Sequence, residues 1–234
     1  MKYLVCFFFL LFSSLSFAQV NGAVLNSISS SFKVMIPKAR TSGSGVAIFQ
    51  RDDKTLIMTN DHVCQATRGH LFWTSEIDES EKLGRFNIVV RSSKGRVYKA
   101  KIVKTSGVSL ASSNPGPDLC ILEIKADFPY TKLANTRIGE KVYSVSAPTG
   151  VFPMVHEGYI GPYQYDDELE RVGTVTLGVT KGSSGGGIFN YKGQVVGIIF
   201  AIMPIHEDTP GALFTYYVPA QEAYRFLKST LEQD

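Results

Sequence analysis

Long hydrophobic runs are almost missing from this chain of 234 residues. The most prominent, Tyr3 to Phe12, is too short to span a bilayer comfortably, and no later segment does better. Cysteine is scarce, with only Cys6, Cys64 and Cys120. There is no HExxH and no paired-cysteine spacing, so no metal site and no cofactor are expected. No N-x-S/T sequon occurs, which fits a bacterial exported protein. Excess charge is missing too: the formal net charge is +3. It falls to +2 without the first 18 residues, which carry Lys2 and no acid, leaving 23 basic against 21 acidic side chains. Such a balance argues against a nucleic-acid or membrane-surface partner. Neither an internal repeat nor a low-complexity tract is visible.

What is present is ordinary globular material, 44% hydrophobic and 19% charged, enough for one large β domain or two small ones. Residues 1–18 differ. Lys2 precedes the apolar run, and Ser16-Phe17-Ala18 gives a small-x-small cleavage pattern. That is the pattern of a secretory signal peptide, so a secreted or periplasmic chain without a stable membrane anchor after cleavage is expected.

From about Ser31 onward, short β-type runs recur between turn residues. Examples are Gly45–Phe49, Thr55–Thr59, Phe86–Val90, Val97–Val103, Leu119–Ile124, Lys141–Val145, Gly158–Ile160, Thr174–Leu177, Gly187–Phe189, Gln194–Phe200 and Leu213–Val218. About a dozen short strands predict an all-β sandwich or barrel pair. Two polar stretches, Ser75–Gly84 and Lys104–Pro117, read as solvated loops, and Ala126–Glu140 reads as a linker between two β units. Pro219 opens a short helix with Ala220, Ala223, Tyr224, Leu227 and Leu231 on one face.

The chemistry concentrates at Gly182-Ser183-Ser184-Gly185-Gly186-Gly187. Glycines around a serine let its hydroxyl stand clear and let neighbouring N–H groups converge on one point, the geometry of an oxyanion hole. A serine hydroxyl needs a base to take its proton. Of four histidines, only His62 follows directly on a strand pattern, Leu56-Ile57-Met58; His70, His156 and His206 lie in turn-like contexts and read as solvated. The base in turn needs a carboxylate. Asp118 leads into the apolar run Leu119–Ile124, a position costly for a carboxylate unless it is paired.

These residues resemble trypsin-like serine proteases of the HtrA/Deg type. Thr59-Asn60-Asp61-His62-Val63 resembles that family's histidine block, and Ser42-Gly43-Ser44-Gly45-Val46 its strand entry. Pro117-Asp118-Leu119-Cys120 resembles the aspartate block, and Gly182-Ser183-Ser184-Gly185-Gly186 the nucleophile block. The resemblance covers about residues 40–230. It implies two six-stranded antiparallel Greek-key β-barrels of the chymotrypsin type with a short C-terminal helix. The expected division is residues 1–18 signal peptide, 19–128 a first barrel carrying His62 and Asp118, 129–218 a second carrying Ser184, and 219–234 the helix. By carry-over the catalytic residues are His62, Asp118 and Ser184, and the N–H groups of Gly182 and Ser184 form the oxyanion hole. Only Ser184 has glycine both two before and two after it, so the motif's frame selects it over Ser183.

The family register puts Gly178 low in the specificity pocket and Ile198, Ile199 and Phe200 along one wall, implying preference for a small or medium aliphatic residue. Cys64 and Cys120 each stand two residues past a triad member, which leaves either a disulfide below the triad or two buried thiols. Ser183 stands where trypsins carry aspartate, so activation by a newly cut N-terminus is not expected. No PDZ domain is expected after the helix. The function these features imply is a serine endopeptidase acting on protein or peptide substrates through an acyl-enzyme. The alternative is a catalytically inactive protease-fold module that binds peptides or proteins, and such modules normally have a substituted triad.

Overall fold

The computed structural model describes residues 22–37, 39–65, 87–107, 117–164, 172–204 and 212–232. The signal-peptide segment, the 75–84 loop, most of the 104–117 loop, His70 and His206 lie outside the described residues.

Twelve strands and three α-helices are described. A helix over residues 22–29 (α1) comes first. The first barrel then uses β1 (Ser31–Ile36), β2 (Thr41–Arg51), β3 (Lys54–Thr59), β4 (Ile88–Ser92), β5 (Val97–Thr105) and β6 (Cys120–Lys125), with helix α2 (Asp61–Gln65) after β3. The second uses β7 (Lys141–Ser146), β8 (Met154–Gln164), β9 (Val172–Val175), β10 (Gly187–Phe189), β11 (Val195–Pro204) and β12 (Ala212–Pro219), followed by helix α3 (Ala220–Leu231). Each six-stranded sheet closes on itself, in the orders β1-β2-β3-β6-β5-β4 and β7-β8-β9-β12-β11-β10. All pairings within them are antiparallel. The two orders are the same six strands later, although the sequence carries no repeat to announce it.

Strand side chains alternate between faces, and here both faces are used. Ala47, Ile57, Cys120, Leu122 and Ile124 fill the first barrel with Phe32, Val34 and Val90. Their neighbours Val46, Ile48, Leu56, Met58 and Ile121 point the other way. These meet Tyr143, Val145, Phe189 and Ile198 in a shared core between the barrels. Val142, Ile160, Ile188, Ile199 and Tyr217 fill the second barrel. A strand buried on both faces reads as a continuous apolar run, which is why these segments looked so uniformly hydrophobic.

The 126–140 connection straps the barrels together. Thr131 N–H donates to Ala47 O (3.0 Å) in the first barrel, and its hydroxyl donates to Gly193 O (2.5 Å) in the second. Helix α3 is held likewise: Phe226 and Leu227 enter the shared core, and Lys104 Nζ donates to Ser229 O and Oγ, both 2.9 Å. The helical face differs from expectation in one residue. Tyr224 is 57% exposed and Phe226 is buried instead, because the docked stripe is Ala223, Phe226, Leu227 and Thr230.

Candidate active site

The first barrel delivers a histidine–aspartate pair. In the β3–β6 ladder Thr59 lies opposite Cys120. Three residues past Thr59 and two before Cys120, His62 and Asp118 therefore leave the same barrel end. Asn60 Nδ2 donates to Asp118 O at 2.7 Å, holding the two chain segments in register. Asp118 is 3% exposed and accepts twice from His62: the backbone N–H to Oδ1 at 2.9 Å, and ring Nδ1 to Oδ2 at 2.5 Å. An ionised carboxylate only accepts, so this contact puts the neutral ring's proton on Nδ1 and leaves Nε2 basic. Cys64 and Cys120 are disulfide-bonded, Cα to Cα 6.5 Å, tying the turn after His62 to the strand after Asp118.

A second carboxylate stands next to this pair. Asp61 is completely buried. Its Oδ2 accepts from Ser106 Oγ at 3.2 Å, while Oδ1 has no hydrogen-bond partner among the described residues. Burial pushes its pKa above the ordinary aspartate value, with nearby Asp118 pushing the same way; hydrogen bonds from Gln65, Ser106 and Gly107 oppose that rise. The sequence does not single out Asp61, since an acid beside a candidate base carries no local mark of burial.

The second barrel supplies the serine loop. Gly182 and Gly185 take φ of 95° and 85°, left-handed values that favour glycine. Ser183 is 1% exposed and its hydroxyl accepts from Ser146 Oγ at 3.3 Å, whereas Ser184 is half-buried. Ser183, Gly185 and Gly186 spend their N–H groups on Thr180 O, Ile199 O and Ser183 O. The N–H groups of Gly182 and Ser184 have no partner among the described residues. An unbonded pair of donors beside a serine suits an anionic oxygen.

Contacts between the barrels bring the serine loop to the histidine. Ser44 N–H donates to Ser184 O at 2.7 Å. Gly43 is wedged between them, since a Cβ there would lie 2.8 Å from the Val63 side chain and 3.0 Å from Ser184 O. Val63 is the residue after His62. Gly185 is equally confined, its hypothetical Cβ 2.1 Å from Ser44 O and 2.3 Å from Thr59 Oγ1.

The expected pocket wall is split. Ile199 is buried inside the second barrel, while Ile198 belongs to the core between the barrels, with Phe200. Strand alternation sends the Ile198 and Ile199 side chains to opposite faces, so one continuous wall along this run would have to be offered by its main chain. Gly178 is exposed, with open space where a side chain would be. His156, read as a solvated turn residue, is instead half-buried in β8 opposite Ser144, and burial lowers its pKa.

A family model described as trypsin-like peptidase domain matches residues 43–198, which include both the histidine turn and the serine loop. The chain belongs to the trypsin-like peptidase family. Relatives of this peptidase domain include a protein of Pseudomonas savastanoi pv. phaseolicola named "Probable periplasmic serine endoprotease DegP-like". It is 28% identical over 182 residues, covering 70% of this chain and 33% of the relative. Another, from Haemophilus influenzae, is named "Probable periplasmic serine protease do/HhoA-like" and is 27% identical over 201 residues, 82% of this chain and 37% of the relative. The chain thus spans about a third of the length of the curated relatives it matches. Among solved structures, the HtrA-type protease AlgW with a tripeptide superposes with a TM-score of 0.70 at 21% identity, covering 92% of this chain and 64% of that one. An inactive form of Rv3671c from M. tuberculosis H37Rv gives 0.63 at 21% identity, covering 89% of both chains. At such identities these structures speak for the fold of the peptidase domain.

Proposed function

We propose that this protein is a serine endopeptidase, exported behind residues 1–18 to the periplasm or outside the cell, that cleaves peptide bonds through an acyl-enzyme. One observation carries the reading: a buried aspartate bonded to Nδ1 of His62, on a barrel that holds Ser184 O through Ser44 N–H, with the Gly182 and Ser184 N–H groups unbonded among the described residues.

In this mechanism Ser184 Oγ attacks the substrate carbonyl carbon while His62 Nε2 takes the hydroxyl proton. Asp118 stabilises the imidazolium and holds its orientation. The carbonyl oxygen becomes anionic and is received by the Gly182 and Ser184 N–H groups. As the C–N bond breaks, His62 returns the proton to the departing amine, leaving an ester on Ser184. Water, deprotonated by His62, attacks that ester and releases the acid. The specificity pocket is formed about Gly178 and the run Ile198–Phe200, and a small or medium aliphatic residue is preferred before the scissile bond.

A fluorophosphonate probe tests the reading directly. The folded wild-type protein should be labelled on Ser184 and should hydrolyse casein, and Ser184→Ala should abolish both. A folded wild-type protein that is neither labelled nor active would instead favour a binding module. Cleavage mainly after Lys or Arg would overturn the aliphatic preference.

A further inference from the structure

We infer that Ser44, which no triad or oxyanion-hole assignment includes, is the positioning residue that holds the oxyanion hole assembled. The inference rests on the endopeptidase reading above.

Ser44 is completely buried in the first barrel, yet its hydroxyl and its N–H are spent at the junction with the second. Its hydroxyl donates to Gly182 O (2.8 Å) and accepts from Ala147 N–H (2.8 Å), partners 138 and 103 residues away. Its N–H holds Ser184 O (2.7 Å) and its carbonyl accepts from the Thr59 hydroxyl (2.7 Å). One residue therefore fixes the serine loop on both sides of Ser183.

In a trans peptide the C=O and N–H point in opposite directions. Gly182 O is held by Ser44 Oγ, so the Ser183 N–H in the same peptide must point away, and it reaches Thr180 O at 3.0 Å. The preceding peptide is fixed too. Lys181 O accepts from Thr149 N–H at 2.7 Å, which turns the Gly182 N–H to the opposite side, where no protein acceptor meets it among the described residues.

Thr149 has a left-handed φ of 49° within the turn Pro148–Gly150. That turn is held by Ser44 Oγ at Ala147 N–H and by Lys33 Nζ, which donates to Gly150 O at 2.7 Å across the barrel junction. Through Ser44 the first barrel thus holds the Gly182–Ser183 peptide, which lies between the two peptides that donate to the hole, and through Ser44 and Lys33 it braces the turn that fixes the Gly182 N–H.

The test is Ser44→Ala against a matched control. Thr55 is also completely buried, and its hydroxyl also donates to a carbonyl (Ala126, 2.7 Å) and accepts an N–H (Phe128, 3.2 Å), all within the first barrel and its linker. Thr55→Val therefore removes an equivalent set of bonds away from the serine loop. On fluorescent casein, Ser44→Ala should lower kcat by on the order of tenfold to a hundredfold with KM within about threefold, because a misaimed donor is lost mainly in the transition state. Thr55→Val should lower Tm while leaving kcat within about twofold. Lys33→Met, at a half-buried site that leaves no core cavity, should lower kcat several-fold with KM unchanged.

Backbone hydrogen exchange over residues 145–152 and 180–187 supplies a readout that needs no turnover. It should quicken in both segments for Ser44→Ala and in neither for Thr55→Val. An unchanged kcat, an equal kcat loss in Thr55→Val, or unchanged exchange at 180–187 in Ser44→Ala would each overturn the assignment. If wild type neither labels nor cleaves, the endopeptidase reading has failed, and the exchange arm still decides whether Ser44 orders the loop.

Discussion

Replacing Asp118 by asparagine keeps the shape of the side chain and alters one property, its ability to accept two hydrogen bonds from His62. The carboxylate accepts the backbone N–H on Oδ1 and ring Nδ1 on Oδ2. An amide has one acceptor and one donor end. If the NH2 faces the backbone N–H, two donors oppose each other in a site 3% exposed, at a cost of about 1–3 kcal/mol. If it faces Nδ1, the imidazole must offer a lone pair there and carry its proton on Nε2, where it can no longer deprotonate Ser184. The second arrangement costs less, so the variant folds with the wrong tautomer. The expected loss is about 10⁴-fold in kcat, the magnitude typical for this substitution in a serine triad, or about 5 kcal/mol of barrier. The fluorophosphonate labelling rate and casein turnover measure it, with a Tm scan to show that the fold survives. Replacing a charge-assisted bond costs about 1.5–3 kcal/mol, a Tm decrease of roughly 3–12 °C for a chain this size. An Asp118→Asn protein within tenfold of wild type, alongside an inert His62→Ala, would refute the assignment and direct attention to buried Asp61.

Cys64→Ala/Cys120→Ala should lower unfolding free energy by about 2–4 kcal/mol in urea titration, because the bridge spans a sequence separation of 56 and restricts the unfolded chain; equal stability of the two forms would rule this out. Asp61→Asn should raise Tm at neutral pH and flatten its pH dependence. A raised aspartate pKa means that the folded state holds the proton longer, so the advantage present at low pH is lost as pH rises from about 3.8 through the folded value. His156 behaves in the opposite sense: its pKa is lowered by burial, so stability should fall as pH drops below about 6.5 toward the folded value, and His156→Gln should remove that slope. Gly185→Ala should destroy casein turnover, since a methyl group would meet Ser44 O at 2.1 Å in a residue already at φ 85°; retained turnover would mean the loop is not held as described.

The parts of this molecule that were legible in its sequence are those whose constraint is local. Eleven apolar runs bounded by turn residues correspond to β2 through β12. β1 was not among them, although Phe32, Val34 and Ile36 alternate inward at 0% exposure, because the intervening Lys33 and Met35 break no turn and mark no boundary. The choice of Ser184 over Ser183 was also local. Glycines at 182 and 186 frame Ser184, the proposed nucleophile, which is half-buried where Ser183 is buried.

Ser44, Lys33 and Thr149 were illegible for a complementary reason. Each takes its meaning from a partner in the other barrel or across the serine loop: Ser44 from Gly182 and Ala147, Lys33 from Gly150, Thr149 from Lys181. No periodicity or spacing encodes a bond across more than a hundred residues. The same reasoning explains the split pocket wall. The side chains of Ile198 and Ile199 enter different cores, so a wall along Ile198–Phe200 would have to be a main-chain surface, which no pattern of side chains announces. A site made where two closed barrels meet has its reacting groups written near strand ends, where sequence patterns reach them. Its aiming groups are written on whichever strand the other barrel happens to touch, so they emerge only when the barrels are placed together.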